Sequence, residues 1–398
     1  MAAPVTGIDI DAVRADTPGS RDRVFLDSAG SSLPPTPVLD EVIGHLRREA
    51  EVGGYLAAAE RDGDLERGYQ VFADLLDCAP DEIAFTDSAS RSWLSLMDAV
   101  PLTDGDRVLI GEVEYGANAV ALLRRAEETG VTVETVPSDE SGALSVPALR
   151  EMLDERVKLV SLVHVPSNGG LVNPVREATD AAHDAGALVL LDACQSVGQL
   201  PVRVGELGVD MLSGTGRKWL RGPRGTGFLV ARRSVAHRLR PRLIDHIAAP
   251  WVAPHAYRLR PDARAFQLYE HDVAGRLGLV TAAEYALRLG VAQIAARVGA
   301  LADRARQGLA GLPGVLVRDL GRSRCGIVTF TVDGLSPAQV RDTLRGRGVV
   351  VTVSPAATSL LDMSARGLTD GVVRASPHYF ATEADIDRFV GEVARLSG

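Results

Sequence analysis

Seven apolar runs of strand length recur along the first part of the chain, each closed by turn residues: DEIAFTD, RVLIGEVEY, VTVETVP, VKLVSLVHV, ALVLLDACQ, DMLSGTG and TGFLVA. LVSLVHV and ALVLLD are apolar at odd and even positions alike. Both faces of such strands must be covered, which is the pattern of parallel strands with helices above and below. Between them lie segments of helical period, such as NAVALLRRAEETG and NPVREATDAAHDAG, each ending near a glycine suited to a left-handed C-cap. From about residue 262 the pattern changes to long alanine- and arginine-rich helices, then short strands (GIVTFTV, GVVVTVS, VVRASPH) and a last helix. This reads as a smaller α+β domain following a larger α/β one. The stretch IDHIAAPWVAPHAYRLRPDARAFQLYEHD has little periodicity and reads as a connector or a site-facing loop.

Composition narrows the classes. The chain has 398 residues, 46% of them hydrophobic, enough for two domains sharing an interface. A formal net charge of -9 and a pI near 5.5 give no basic field for phosphates, so nucleic acid is not expected as a partner. Residues 1–20 hold neither a signal-peptide pattern nor an apolar run of spanning length, so no membrane partner and a cytoplasmic location are expected. Cys78, Cys194 and Cys325 are odd in number and far apart, which fits reduced structural thiols. Nearly all basic charge is arginine; lysine occurs only at Lys158 and Lys218. Arginine replaces lysine on a solvated surface but cannot form an imine with a carbonyl cofactor. Lys158 opens an apolar run and reads as a solvated strand-edge residue.

Lys218 has a different setting. ALVLLD ends in Asp192-Ala193-Cys194-Gln195, and the next strand runs into Ser213-Gly214-Thr215-Gly216-Arg217-Lys218-Trp219. Ligands of open parallel sheets bind beyond the carboxyl ends of strands. A carboxylate at one strand end and a lysine at the next suit pyridoxal 5'-phosphate (PLP), which needs an amine for its imine, an acid against its ring nitrogen and donors for its phosphate. Thr86-Asp87-Ser88-Ala89-Ser90, just before a helical stretch, supplies a phosphate cup, with Thr215 and Arg217 to complete it. Each feature has a duller alternative: helix cap, tight turn, N-cap. Their joint appearance in this order is what favours the cofactor.

On these residues the chain resembles the class V aminotransferase and cysteine desulfurase group of fold-type I PLP enzymes. The likeness runs from Leu26-Asp27-Ser28-Ala29-Gly30 to Arg374-Ala375-Ser376-Pro377-His378-Tyr379, and SGTGRKWLRGPRGTGFL is its most specific part. It implies a mostly parallel seven-stranded sheet in a large domain over residues 21–261, an N-terminal arm (1–20) packed on the small domain, and a small C-terminal domain over 262–398. It further implies that Lys218 is the Schiff-base lysine, that Asp192 pairs with the ring nitrogen and that Gln195 donates to the ring hydroxyl, with Asn168 near that hydroxyl and the substrate imine. Ser88, Ala89, Ser90, Thr215 and Arg217 match phosphate-binding positions, although relatives often carry histidine where Arg217 stands. Arg374 matches the arginine that clamps the substrate carboxylate. A homodimer with active sites at its interface follows from the same likeness, residues 267–272 falling where relatives reach into the neighbour's phosphate site.

Two departures bear on the reaction. Relatives often stack an imidazole on the ring where this chain reads Glu114-Tyr115-Gly116-Ala117-Asn118, so Tyr115 is the expected stacking residue. Cysteine desulfurases carry a nucleophilic cysteine shortly before the carboxylate arginine, and VSPAATSLLDMSARGLTDGVV contains none. REAEVGGYLAAA, EYGAN, RKWLRGPRG and SPH together look most like the C–S lyases of ergothioneine and lincosamide biosynthesis. That resemblance implies cleavage of a cysteine S-conjugate to thiol, pyruvate and ammonia, with Lys218 as general base and Tyr55 among the substrate contacts. A decarboxylating oxidative deaminase is the alternative, followed by an aminotransferase or epimerase. His246, His255, His271 and Tyr379 are further, unspecific candidates. A binding-only relative is disfavoured because lysine, acid and arginine all stand, and an NAD enzyme because no GxGxxG follows the first strand.

Overall fold

The computed structural model describes residues 7–397. Seven strands, β1 (Ile83–Thr86), β2 (Arg107–Gly111), β3 (Thr132–Val136), β4 (Val157–Val163), β5 (Leu188–Asp192), β6 (Met211–Thr215) and β7 (Gly227–Ala231), form one sheet. Its order is β1-β7-β6-β5-β4-β2-β3. Neighbours from β6 to β3 run parallel, whereas β7 is antiparallel to both β6 and β1. The expected mostly parallel seven-stranded sheet is present.

The doubly apolar strands do cover both faces. Val189 and Leu191 of β5 join one core with Val160, Leu162, Leu212 and Phe228, while Leu188 and Leu190 join the other with Leu159, Met211 and Leu229. This is the period of two that a strand imposes on its side chains. The edge strand β3 is mostly uncovered.

The flanking helices follow local rules. They include α1 (Thr36–Val52), α2 (Asp62–Leu76), α3 (Ala89–Ala99), α4 (Gly116–Thr129), α5 (Val175–Asp184) and α6 (Val273–Leu289). Ser88 caps α3 by accepting from Arg91 N at 3.1 Å, and Trp93, Leu96 and Met97, spaced three and four apart, bury one face. Helix α4 ends at Gly130, left-handed at φ 76°, as the sequence predicts.

A second sheet holds β8 (Val315–Val317), β9 (Val328–Val332), β10 (Thr352–Ser354) and β11 (Val372–Ala375) in the order β8-β9-β11-β10, all antiparallel. Helices α7 (Val291–Ala310), α8 (Pro337–Gly346) and α10 (Glu383–Ser397) enclose its core; α9 (Leu360–Ala365) leads into β11. We propose the division near residue 262 as a change of sequence pattern. The cores divide otherwise: Leu279 and Val280 of α6 lie in the first, and Val24 and Leu26 in the core of the second sheet. Residues 1–6 of the expected arm lie outside the described residues; within its remainder, Arg14 donates to Phe380 O and pairs with Asp385 of α10. Among the described residues no helix is long and apolar enough to cross a membrane.

One buried ion pair fastens the second sheet to the first. Arg306 of α7 donates to Asp319 and to the carbonyls of Cys325 and Ile327, and Asp319 also accepts from Thr329. Cys325 N in turn donates to Gly170 O, in the loop that carries Asn168. Asp319→Ala is expected to cost about 3 kcal/mol, because it leaves a buried guanidinium with the largely exposed Asp303 as its one carboxylate partner among the described residues; denaturant unfolding of both proteins measures it.

Candidate active site

Strands β5 and β6 end side by side, Asp192 opposite Ser213, so the residues that follow each strand share one edge of the sheet. The loop after β5 crosses the turn after β6 at Gly198 (φ 98°), where a Cβ would stand 2.4 Å from the backbone of Trp219. This crossing keeps the turn that carries Lys218 beside the loop that follows Asp192. Asp192, Gln195, Thr215, Arg217 and Lys218 line one cleft of about 630 Å³ with Ser88, Ala89, Ser90 and Tyr115. Asp192 and Lys218 thus face a common space.

Asp192 is buried and accepts from Cys194 N at 2.9 Å and from Asn118 Nδ2 at 3.0 Å. Lys218 opens into the cleft, yet the protein packed round it lowers its pKa by desolvation, and the charges of Arg217 and Arg374 push the same way against Asp192. After Lys218 the chain turns through Arg221, left-handed at φ 62°, whose guanidinium donates to Leu33 O, Tyr379 Oη and Thr17 Oγ1. Those three bonds explain how an uncommon conformation persists. They also place Tyr379 in a structural network, away from the cleft. Lys158 meets its expectation: exposed, it donates to Glu155 O.

The cup is the N-terminus of α3. Gly227 of β7 packs directly beneath it, where a Cβ would lie 2.3 Å from Ser88 C and 2.7 Å from Ala89 N. The Thr215 hydroxyl donates to Thr226 O at 3.4 Å, and Arg217 donates to Gly30 O. Gln195 is clamped between Ala29 O and Trp219 Nε1, leaving one hydrogen of its amide nitrogen for the cleft.

Three candidates lie outside the lining. Arg374 of β11 donates to Ser167 O at 3.0 Å and Asp27 Oδ1 at 3.3 Å, with its pKa lowered by burial against the pull of Asp27. Asn168, beside the lining residue Ser167, donates to Asp362 of α9 at 2.7 Å. Tyr55 is 79% exposed and hydrogen-bonds Tyr269. His246 lies tilted against Tyr269, ring centroids 5.1 Å apart, and His255 and His271 are exposed.

The lining also contains residues that the sequence reading passed over: Trp93, Asn118, Val163, Val165 and Ser167. Asn118 had a signal, four residues after Glu114 at a helix start. Cys194 faces the cleft, but burial and the charge of Asp192 raise its pKa well above the ordinary thiol value, so it is a thiol at neutral pH. Trp93 Nε1 and Ser167 Oγ of the lining, and Asn168 Oδ1 and Arg374 Nε outside it, are buried without a partner among the described residues. Buried polar atoms normally have partners. Two in the lining, with an amine, an acid and a helix N-terminus, fit a planar, polar, phosphorylated group such as PLP.

A family model described as aminotransferase class-V matches residues 24–389. A probable cysteine desulfurase 2 of Mycobacterium leprae is 31% identical over 99% of this chain and 98% of its own. A probable hercynylcysteine sulfoxide lyase of Mycobacterium tuberculosis is 31% identical over 94% of this chain and 91% of its own. Among solved structures, the apo cysteine desulfurase from Thermococcus onnurineus NA1 superposes with a TM-score of 0.88 at 26% identity, covering 100% of this chain and 98% of that one.

Lys218→Ala is expected to abolish the visible absorbance that PLP gains on bonding to the protein, while far-UV circular dichroism stays unchanged; an identical spectrum sinks the assignment. Gly227→Ala is expected to weaken PLP binding about tenfold or more, since 1.4 kcal/mol of displacement in the cup suffices; titration of the apoprotein with PLP reads it.

Proposed function

Because this chain belongs to the class V aminotransferase family, whose enzymes use PLP, we propose that it is a C–S β-lyase acting on a cysteine S-conjugate in secondary metabolism of the ergothioneine or lincosamide type. Cleavage of a carbon–sulfur bond in a cysteine-derived substrate is the chemistry that the two relatives' descriptions share. The observation that carries the finer reading is the lack of a thiolate. Persulfide formation needs a nucleophilic sulfur at the cleft. Segment 353–373 holds no cysteine, Cys194 is kept protonated, and Cys78 and Cys325 have thiol pKa values raised by burial to about 12 and about 11.

Bound in this cleft, PLP supplies an electron sink for the charge left when a substrate proton departs. Lys218 would carry it, Asp192 would hold the proton on its ring nitrogen, and the N-terminus of α3 with Arg217 would hold its phosphate. Arg374 offers the substrate carboxylate a planar, two-point clamp, and it can exchange its long contact with Asp27 for that shorter one. Lys218 Nζ is the group placed to take the Cα proton, its depressed pKa leaving more of the neutral amine near neutral pH. Water is consumed overall: the S-conjugate plus water gives the thiol, pyruvate and ammonium.

We assign the second copy of a homodimer to the face bearing Trp251 (76% exposed), Tyr257 (63%) and Tyr55. Trp251–Ala253 and Ala256–Tyr257 form a two-stranded ribbon with every residue exposed, and such a ribbon is marginal alone. Tyr269, bonded to Tyr55, follows Leu268, which lines a cavity shared with Asp87 and Arg91 beside the phosphate cup. Pairing here would bring one copy's surface to the other's site.

Mass spectrometry of products from a panel of cysteine S-conjugates tests the reaction. Pyruvate with free thiol is expected; alanine with sulfur released from free cysteine marks a desulfurase, and carbon dioxide with an aldehyde marks the oxidative deaminase. Light scattering tests the pairing: a dimer is expected, and Trp251→Asp should raise its dissociation constant at least about tenfold.

A further inference from the structure

Glu114, between β2 and α4, is 3% exposed and has no basic side chain among its hydrogen-bond partners. Its Oε1 accepts from Tyr115 N at 2.8 Å and Asn118 Nδ2 at 2.9 Å, and its Oε2 accepts from Ser161 Oγ at 3.0 Å. The same Asn118 nitrogen donates to Asp192 Oδ2 at 3.0 Å. One amide group therefore joins two buried carboxylates, giving one N–H to each. Two acids so linked oppose each other's ionisation. Burial, with the charge of Asp192, holds the Glu114 pKa up at about 7.

The partners differ in one respect that matters. Tyr115 N and Asn118 Nδ2 can only donate, whereas the Ser161 hydroxyl can rotate and accept. A proton on Glu114 is therefore accommodated at Oε2 with the Asn118 contacts undisturbed. β4 and α4 present the neutral Ser161 and Asn118 to Glu114, and Tyr115 precedes α4. Asp192 brings the nearest charge, with Cys194, Lys218 and Arg217 sharing its cleft; Glu112 is turned to Ser138 N.

We propose that Glu114 is a positioning residue which, by gaining or losing a proton at Oε2, sets through Asn118 how firmly Asp192 keeps the cofactor's ring nitrogen protonated. This rests on the reading of Asp192 as the ring-nitrogen partner. Ionised Glu114 adds negative charge behind Asp192 and strengthens its hold; protonated Glu114 relaxes it. The electron sink is then strongest on the alkaline side of the Glu114 titration.

The holoenzyme, reconstituted with ring-¹⁵N PLP, is titrated from about pH 5.5 to about pH 9, following the ring-nitrogen shift and the visible band, as wild type, Glu114→Gln and Asn118→Ala. A step centred near neutrality is expected in the wild type and absent from both variants, with kcat of Glu114→Gln falling several-fold at pH 8 and KM within about twofold. A purely structural role for Glu114 would leave the step in place, so a step retained in Glu114→Gln, or none in the wild type, overturns the proposal. A step lost in Glu114→Gln but kept in Asn118→Ala overturns the part assigned to Asn118. If Glu114→Gln does not fold, Asn118→Ala decides, because Tyr115 N and Ser161 still hold Glu114 there. Failure of wild-type protein to bond PLP at all would instead sink the cofactor reading.

Discussion

A carboxylate and an amine that face one cleft beyond the ends of adjacent parallel strands constrain nearly everything else in this molecule. Burial alone pushes Lys218 towards its neutral form. Asp192 keeps donors on each oxygen, from Asn118 and from Cys194 N, while Lys218 is pulled one way by its acidic neighbour and the other by desolvation and two arginines. The sheet provides the geometry because β5 and β6 finish in register, and the close passage at Gly198 keeps the lysine turn from drifting away. A site of this kind is expensive to build unless a ligand uses the charges.

The surrounding structure is arranged to hold that edge still. Arg221 locks the turn after Lys218 to Leu33, Thr17 and Tyr379, tying it to segments distant in sequence. The second sheet meets the loop that borders the cleft through Arg374 of β11, bonded to Ser167 O, and through Asp362 of α9, which accepts from Asn168. Arg306 and Asp319 secure that sheet to the Asn168 loop from behind. The position of Arg374 is thereby tied to the seating of one sheet on the other.

Chemistry at this cleft is selected as much by what cannot ionise as by what can. The thiol that faces it stays protonated, because burial and Asp192 act in the same direction. The amine is moved the opposite way, towards its neutral form. On the proposed reading, an available base without a thiolate would expel sulfur as a free leaving group and not transfer it to the protein.

The residues alone pointed to a covered parallel sheet and to Asp192 and Lys218 as neighbours on one edge of it. LVSLVHV and ALVLLD, apolar on both faces, implied a covered parallel sheet, and Lys218 stood out because one other lysine exists in the chain. The order of cup, acid and lysine followed from strand ends succeeding one another. What depended on the fold is the second layer of partners. Asn118 meets Asp192 from 74 positions away and Asp362 meets Asn168 from 194, separations at which no local period carries information. Ser161 reads as an interruption in an apolar strand until its partner Glu114 is seen, and Tyr55 stands outward on its own chain. Local pattern determines which residues are strand, helix or turn; only the folded arrangement decides which strand ends become neighbours, and so which buried polar groups satisfy each other.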